Sequence, residues 1–219
     1  MQICVCGWYF RPDFYALMRE VNKKYSVTVI NHQDTPLKWE YKLSWHLCPN
    51  IGLEWGAYDF FLKTAWDGES AVLFLHDDIR FRPVIKNYEL IEPIIIFDTI
   101  EQFEFDQVYF FGSLEEATKN YGIHGRAFKC SAVFLKSLLE QNNGFWYDEN
   151  NDGHIQGTTP NYCEHYNKAD YKFADFIKEL KCRSNGLLDA GHYVILPALD
   201  CAVRGRFREE IEGVMDDEN

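Results

Sequence analysis

The chain has 219 residues, 47% hydrophobic and 16% aromatic, enough apolar side chain for one globular domain without a disulfide or structural zinc. Its formal net charge of −12 opposes nonspecific attraction to nucleic-acid phosphates or anionic lipid, and no apolar run is long enough to span a bilayer. Seven cysteines at scattered spacings, with no Cys-x-x-Cys pair, argue for reduced thiols in a cytoplasmic protein rather than a disulfide or zinc framework.

Residues 1–7 lack a basic region followed by a long apolar core, so they read as a first strand (3–6) and not as a signal peptide. Pro12 and Asp13 then open an amphipathic helix to about residue 24, with Phe14, Leu17, Met18 and Val21 on one face. Residues 27–30, rich in branched side chains, predict a second strand. A turn follows over 31–36, then a short third strand at 45–47. Trp55, Tyr58, Phe61, Leu62 and Ala65 recur at helical spacing, which predicts a helix over 53–66 with Trp55 and Tyr58 in the core.

The apolar run 72–75 reads as a strand buried on both faces, and it ends abruptly in His76, Asp77 and Asp78. Two adjacent carboxylates at a strand end repel each other and lose hydration together unless a cation or bound partner offsets the cost. Ligands of open α/β sheets bind just beyond the carboxyl ends of strands. The pattern therefore suggests a site shared by a hard divalent cation and phosphate oxygens. A solvated turn or a helix cap is the plainer account of the same residues.

Beyond Pro83 the pattern is less regular. Strands are predicted at 94–97, 108–111 and 132–135, a short helix at 136–141, and a long Asn-, Gly- and Asp-rich loop over 142–162. A helix at 171–181 and a late strand at 193–196 follow. Alternating strands and helices in the first 80 residues imply an α/β fold: a mostly parallel central sheet with helices on both faces, then an irregular second half. The whole chain, 1–219, reads as a single domain, with a regular half (1–80), a less regular half (81–200) and a tail (201–219) of mixed acidic and basic residues.

The order of motifs resembles family 2 glycosyltransferases. Asn50-Ile51-Gly52 is similar to that family's Asn-x-Gly turn, and the strand ending in His76-Asp77-Asp78 to the strand that carries its Asp-x-Asp motif. Gly7-Trp8-Tyr9-Phe10-Arg11-Pro12 sits where the family has its first turn against the nucleotide, and Asn31-His32-Gln33-Asp34 where it has an acidic turn. Residues 131–136 with Asn143-Gly144-Phe145-Trp146-Tyr147-Asp148 are similar to the acceptor-side strand and its Gly-Gly-Phe-Asp turn; Ala169-Asp170 falls where the family has Glu-Asp. The first carboxylate of the Asp-x-Asp motif is here His76, and the Glu of the Glu-Asp pair is Ala169.

That resemblance implies a single GT-A domain that takes a sugar from a nucleotide-diphospho-sugar donor through a bound Mn²⁺ or Mg²⁺, with residues 1–80 as the nucleotide-sugar half and 81–200 as the acceptor side. It implies Asp78 as direct metal ligand, Asp77 on the ribose or on the metal and its water, and His192 as a further metal ligand. Asp170 takes the position of the base in an inverting transfer, with Glu164 and Asp148 as rivals and a helix cap as the structural alternative. Among donor-side candidates, Trp8 and Tyr9 can stack on a base, Arg11 and Asn31 lie in the flanking turns, and His76 can reach ribose or phosphate. Arg126 can contact a phosphate or an acidic acceptor, and Trp146 can pack on an acceptor sugar. The acceptor stays open: a glycan, a lipid-linked sugar, a protein or a modified base. Two other readings also stay open, a non-catalytic nucleotide-sugar or glycan-binding module of the same fold and a metal-dependent nucleotidyltransferase or phosphohydrolase.

Overall fold

A computed structural model describes residues 1–33, 37–77, 80–81, 84–86, 89–91, 93–102, 108–110, 127–147 and 199–200. The core is a sheet with strand order β3-β2-β1-β4-β9-β8. Its members are β1 (Gln2–Gly7), β2 (Ser26–Asn31), β3 (Ser44–Leu47), β4 (Val72–His76), β8 (Val108–Phe110) and β9 (Ala127–Cys130). The first four are parallel, while β9 runs antiparallel to both β4 and β8. Strand β1 leads through α1 (Pro12–Val21) to β2 on one side; the chain later returns through α2 (Leu53–Thr64) to β4 on the other. The direction of winding therefore reverses between β1 and β4, and such a reversal opens a crevice at the strands' carboxyl ends.

Strand alternation sorts the core into two layers. Ile3, Val5, Val27, Val29, Leu73 and Leu75 face α1 and α3 (Pro93–Gln102), where they meet Phe14, Met18 and Phe97. Cys4, Cys6, Ile30, Val72 and Phe74 face α2 and α4 (Ala132–Asn142). There Phe74 stacks on Phe128 at 4.9 Å and meets Tyr58 edge-on at 5.0 Å. Complete burial of a ring of this size contributes about 1.5–3 kcal/mol, so this aromatic layer is a principal source of stability. Trp55 and Tyr58 lie in it, as their spacing indicated.

Two stretches read as strands are helices. Residues 94–97 carry the β-branched signature of a strand, but Pro93 supplies the first-turn residue of a helix, and Ile94, Phe97 and Ile100 line one face at three-residue intervals. Residues 132–135 begin α4, because the Ser131 hydroxyl accepts the Phe134 N–H at 3.1 Å and caps the first turn. Strand β5 (Arg80–Phe81) pairs with β10 (Leu199–Asp200), and β6 (Val84–Lys86) pairs with β7 (Glu89–Ile91) as a hairpin. The helix predicted at 171–181 and the strand at 193–196 lie outside the described residues. Among the described residues no helix is long and apolar enough to cross a membrane.

Candidate functional site

Strands β1 and β4 pair in register, which places Cys6 beside His76 at the head of the crevice. His76 continues the face that carries Phe74, toward α2. Asp77, one residue on, turns to the opposite face, toward α1. There its Oδ2 accepts the N–H groups of Trp8, Tyr9 and Phe10, each at 2.9 Å, and the Tyr15 hydroxyl at 3.2 Å. One carboxylate oxygen thus folds the whole β1–α1 loop. Phe10 sits there with φ 52°, a left-handed conformation held by the bond to Asp77. Gly7 permits the close approach, since a Cβ at that position would lie 2.9 Å from the Tyr15 hydroxyl oxygen. Gln33 ties the loop from the other side by donating to the Trp8 carbonyl at 2.6 Å. Burial pushes the Asp77 carboxyl up, against the opposing pull of His76 and the three loop N–H groups.

On the α2 side lies a small cavity of about 10 Å³, room for about one water, lined by Cys6, Trp8, Tyr9, His32, Asn50, Leu53, Glu54 and His76. Tyr9 meets His76 edge-on at 5.8 Å. His32, 4% exposed, has both ring nitrogens against backbone carbonyls: Nδ1 is 3.2 Å from Cys48 O and Nε2 is 3.0 Å from Leu53 O. Only a doubly protonated ring donates to both. Burial opposes that charge, but hydrogen bonds to Cys48 and Cys6 outweigh it and raise the His32 pKa to about 10. Burial likewise raises the Cys6 thiol, yet the charge of His76 and hydrogen bonds from His32 and His76 bring it below its ordinary value. Asn50 is 2% exposed, and neither its Nδ2 nor its Oδ1 has a hydrogen-bond partner among the described residues.

A second, larger cavity of about 470 Å³ lies between the β3–α2 turn and the segment after α4, lined by Pro49, Ile51, Phe60, Lys63 and Tyr147 among others. Asp59 at its floor is committed: Oδ2 accepts from Lys63 Nζ at 2.8 Å and Oδ1 from the Phe145 N–H at 2.9 Å.

The structure brings Trp8, Tyr9 and His76 together around one cavity, with Asp77 directly beneath the loop. Arg11 is at the N-terminal cap of α1 and pairs with Asp13. Asn31 is fully buried, and its Oδ1 accepts the Gln33 N–H at 2.8 Å, so it shapes the turn after β2. Trp146 is half-buried against the aromatic layer beside α2 and α4. Asp78, Arg126, Asp148, Glu164, Asp170 and His192 lie outside the described residues. Sequence reasoning did not single out Cys6, His32, Asn50 or Glu54 as site residues. Their signal was polarity out of place: a histidine just after a buried strand and an acid between Leu53 and Trp55.

The described residues do not by themselves make a site for Mn²⁺ or Mg²⁺. The Asp77 Oδ2 is filled by donors; its buried Oδ1 lies 3.7 Å from His76 Nδ1 with no hydrogen-bond partner among the described residues, but Cys6, His32 and His76 nearby are soft or imidazole donors, ill-suited to a hard cation. Among the described residues no group of three or more His, Cys, Asp or Glu side chains is placed to hold a metal ion. The metal expectation rests on Asp78 and His192.

No family model matches this chain. No curated protein matches it. Among solved structures it is similar to the apo-form glycosyltransferase GlyE of Streptococcus pneumoniae TIGR4, at 14% sequence identity and a TM-score of 0.36, over 91% of this chain and 53% of that one. The chain thus spans about half the length of that protein.

Proposed function

We propose that this chain is a glycosyltransferase that holds a nucleotide-diphospho-sugar in the crevice between β1 and β4. The observation that carries the reading is the loop tied to Asp77 at the sheet's point of reversal, because three successive backbone N–H groups converge on one buried carboxylate there. The loop is thereby fixed in a single shape before any ligand arrives, and it presents Trp8 and Tyr9 beside His76 and Asn50. The partly exposed aromatic rings of Trp8 and Tyr9 suit a flat heterocycle. That the ligand carries a sugar is taken from the order of motifs along the chain.

In this reading Trp8 or Tyr9 stacks on the base, and Arg11 with the N-terminal end of α1 offers positive charge to the diphosphate as its bond to the sugar breaks. Asp170 removes the proton of the acceptor hydroxyl while that oxygen attacks the anomeric carbon, with inversion. Trp146, and Tyr147 beside the larger cavity, belong to the acceptor side.

A second reading, a binding module without turnover, is favoured by one observation: one of the two Asp77 carboxylate oxygens is taken up by holding the loop. Incubation with Mn²⁺ and a panel of nucleotide-sugars separates the two. Release of nucleoside diphosphate supports transfer; a higher melting temperature without release indicates a binder; release of monophosphate or pyrophosphate indicates chemistry at phosphorus. In the active case, Asp170→Asn abolishes turnover and keeps donor binding, and unchanged transfer by that variant removes Asp170 from the mechanism.

A further inference from the structure

We propose that the larger cavity, on the outer side of the β3–α2 turn, is a saccharide-binding site that takes one neutral sugar ring of a glycan. Among the described residues it shares no lining side chain with the small cavity of the crevice. The turn is a partition between the two: Asn50, Leu53 and Glu54 line the crevice side, while Cys48, Pro49, Ile51 and Gly56 line the outer side. At about 470 Å³ the outer cavity falls in the size range of small-molecule sites and has room for a sugar ring.

The floor is a single stripe of α2. Gly56, Asp59, Phe60, Lys63 and Thr64 recur at intervals of three and one, so they share one helical face. Lys63 donates to Asp59 at 2.8 Å; the carboxylate is 3% exposed and the lysine side chain 38%. An ammonium carries three donors, and among the described residues Asp59 takes one of them. The cavity therefore meets the outer donors of a cation whose charge is already offset. Thr64 donates its hydroxyl proton to the Phe60 carbonyl at 2.6 Å, which leaves its oxygen as an acceptor. The facing wall is Tyr147, seated against Gly52 and Gly56 at the start of α2. A Cβ on Gly52 would overlap the Tyr147 ring. Gly144, at φ 113°, clears the space in which Asp59 accepts the Phe145 N–H at 2.9 Å. The segment after α4 is thus fastened to α2, and the Tyr147 ring is set in place ahead of any ligand.

These walls select the ligand by chemistry. Tyr147 and Phe60 offer aromatic surface for the C–H face of a ring. Lys63 and Thr64 offer a donor and an acceptor for hydroxyls on its edge. An anion gains little here, because Asp59 already offsets Lys63 and the chain as a whole carries a net charge of −12. A purely apolar ligand strips water from the Lys63 ammonium and returns no hydrogen bond. A neutral ring with neighbouring hydroxyls meets both demands. Assigning that ring to the acceptor rests on the nucleotide-sugar reading above, whereas its binding does not.

The test is saturation-transfer NMR of the intact chain with glucose, galactose, N-acetylglucosamine and their β1,4-linked disaccharides, beside octanoate and inorganic phosphate as probes of the apolar and anionic alternatives. The expected result is saturable binding of at least one sugar with a dissociation constant of about 1 mM or tighter. Tyr147→Ala is expected to weaken it at least ~10-fold, and Tyr147→Phe, which keeps the ring, by less than about threefold. Should Tyr147→Ala fail to fold, Ile51→Ala decides. That wall side chain is 40% exposed, and its loss is expected to weaken the sugar about threefold at an unchanged melting temperature. Trp8→Ala, in the crevice, is expected to bind the sugar as the wild type does. Binding of none of the sugars, tighter binding of octanoate or phosphate, or equal sugar affinity in the wild type and the wall variants overturns the proposal. So does loss of the sugar in Trp8→Ala, which moves the site to the crevice. Nucleotide binding is read separately at the crevice, so failure here is distinct from failure of the nucleotide-sugar reading.

Discussion

Asp77 shows how a single side chain organises the head of this crevice. A pair of acids closing an apolar strand drew attention to the end of β4, where the pleat sends consecutive side chains to opposite faces, so His76 and Asp77 serve different layers. That division is visible in the sequence. What was not visible is that the Asp77 Oδ2 is taken up by the loop 67 to 69 residues before it, because a contact at such separation leaves no local pattern. Replacing it tests the role. Asp77→Ala leaves three N–H groups and a buried hydroxyl without an acceptor, and the expected loss of stability is about 3 kcal/mol or more, read as a lower urea midpoint. A loss below about 0.5 kcal/mol, the scale of a surface substitution, rules out the organising role.

Cys6 and His32 carry a pH signature of their own. In the unfolded chain His32 loses its proton near 6.5 and Cys6 near 9.0; in the fold His32 is raised to about 10 and Cys6 is lowered. Between about pH 9.0 and 10 the unfolded chain has given up both protons while the fold keeps the one on His32, so stability falls as pH rises through about 10. Urea midpoints of the wild type relative to His32→Gln are expected to fall over that interval. A flat difference there contradicts a raised His32.

Among the elements, those built on plain alternation or plain helical spacing were legible: β1, β2, β4, α1 and α2 fall where residue pattern puts them, with ends shifted by a few residues. The two misread stretches are instructive because a terminal signal outranked composition. Pro93 and Ser131 each mark a helix start, and in both places the branched or apolar residues that follow suggested a strand. The turn into α2 carries the site's other wall, and its geometry depends on small residues. Gly52 has φ 76° and Leu53 φ 55°, an unusual pair that aims the Leu53 carbonyl at His32. A Cβ on Gly56 would sit 1.8 Å from the Ile51 carbonyl oxygen, which is backbone and cannot yield without moving the turn. Gly56→Ala is therefore expected to cost about 3 kcal/mol and to displace Asn50, seen as a lower melting temperature and changed amide resonances for 50–53. A stability within about 0.5 kcal/mol of wild type shows that the turn is more compliant than described.

At the scale of the whole molecule, four parallel strands ordered β3-β2-β1-β4 create the crevice, and what is assembled there comes from the ends of β1, β2 and β4 and from the turn into α2. Strand–helix alternation made the fold class readable, while strand order became evident only from the paired registers. The crevice carries the central claim that a loop fixed by Asp77 holds a nucleotide against Trp8. Isothermal titration of the wild type and Trp8→Ala with uridine and guanosine diphosphates, with and without Mn²⁺, tests it most directly. The account predicts saturable binding of at least one nucleotide by the wild type, weakened about tenfold in Trp8→Ala, equivalent to the ~1.4 kcal/mol lost with a stacked ring. No saturable heat with either nucleotide, or equal affinity in the two proteins, contradicts it.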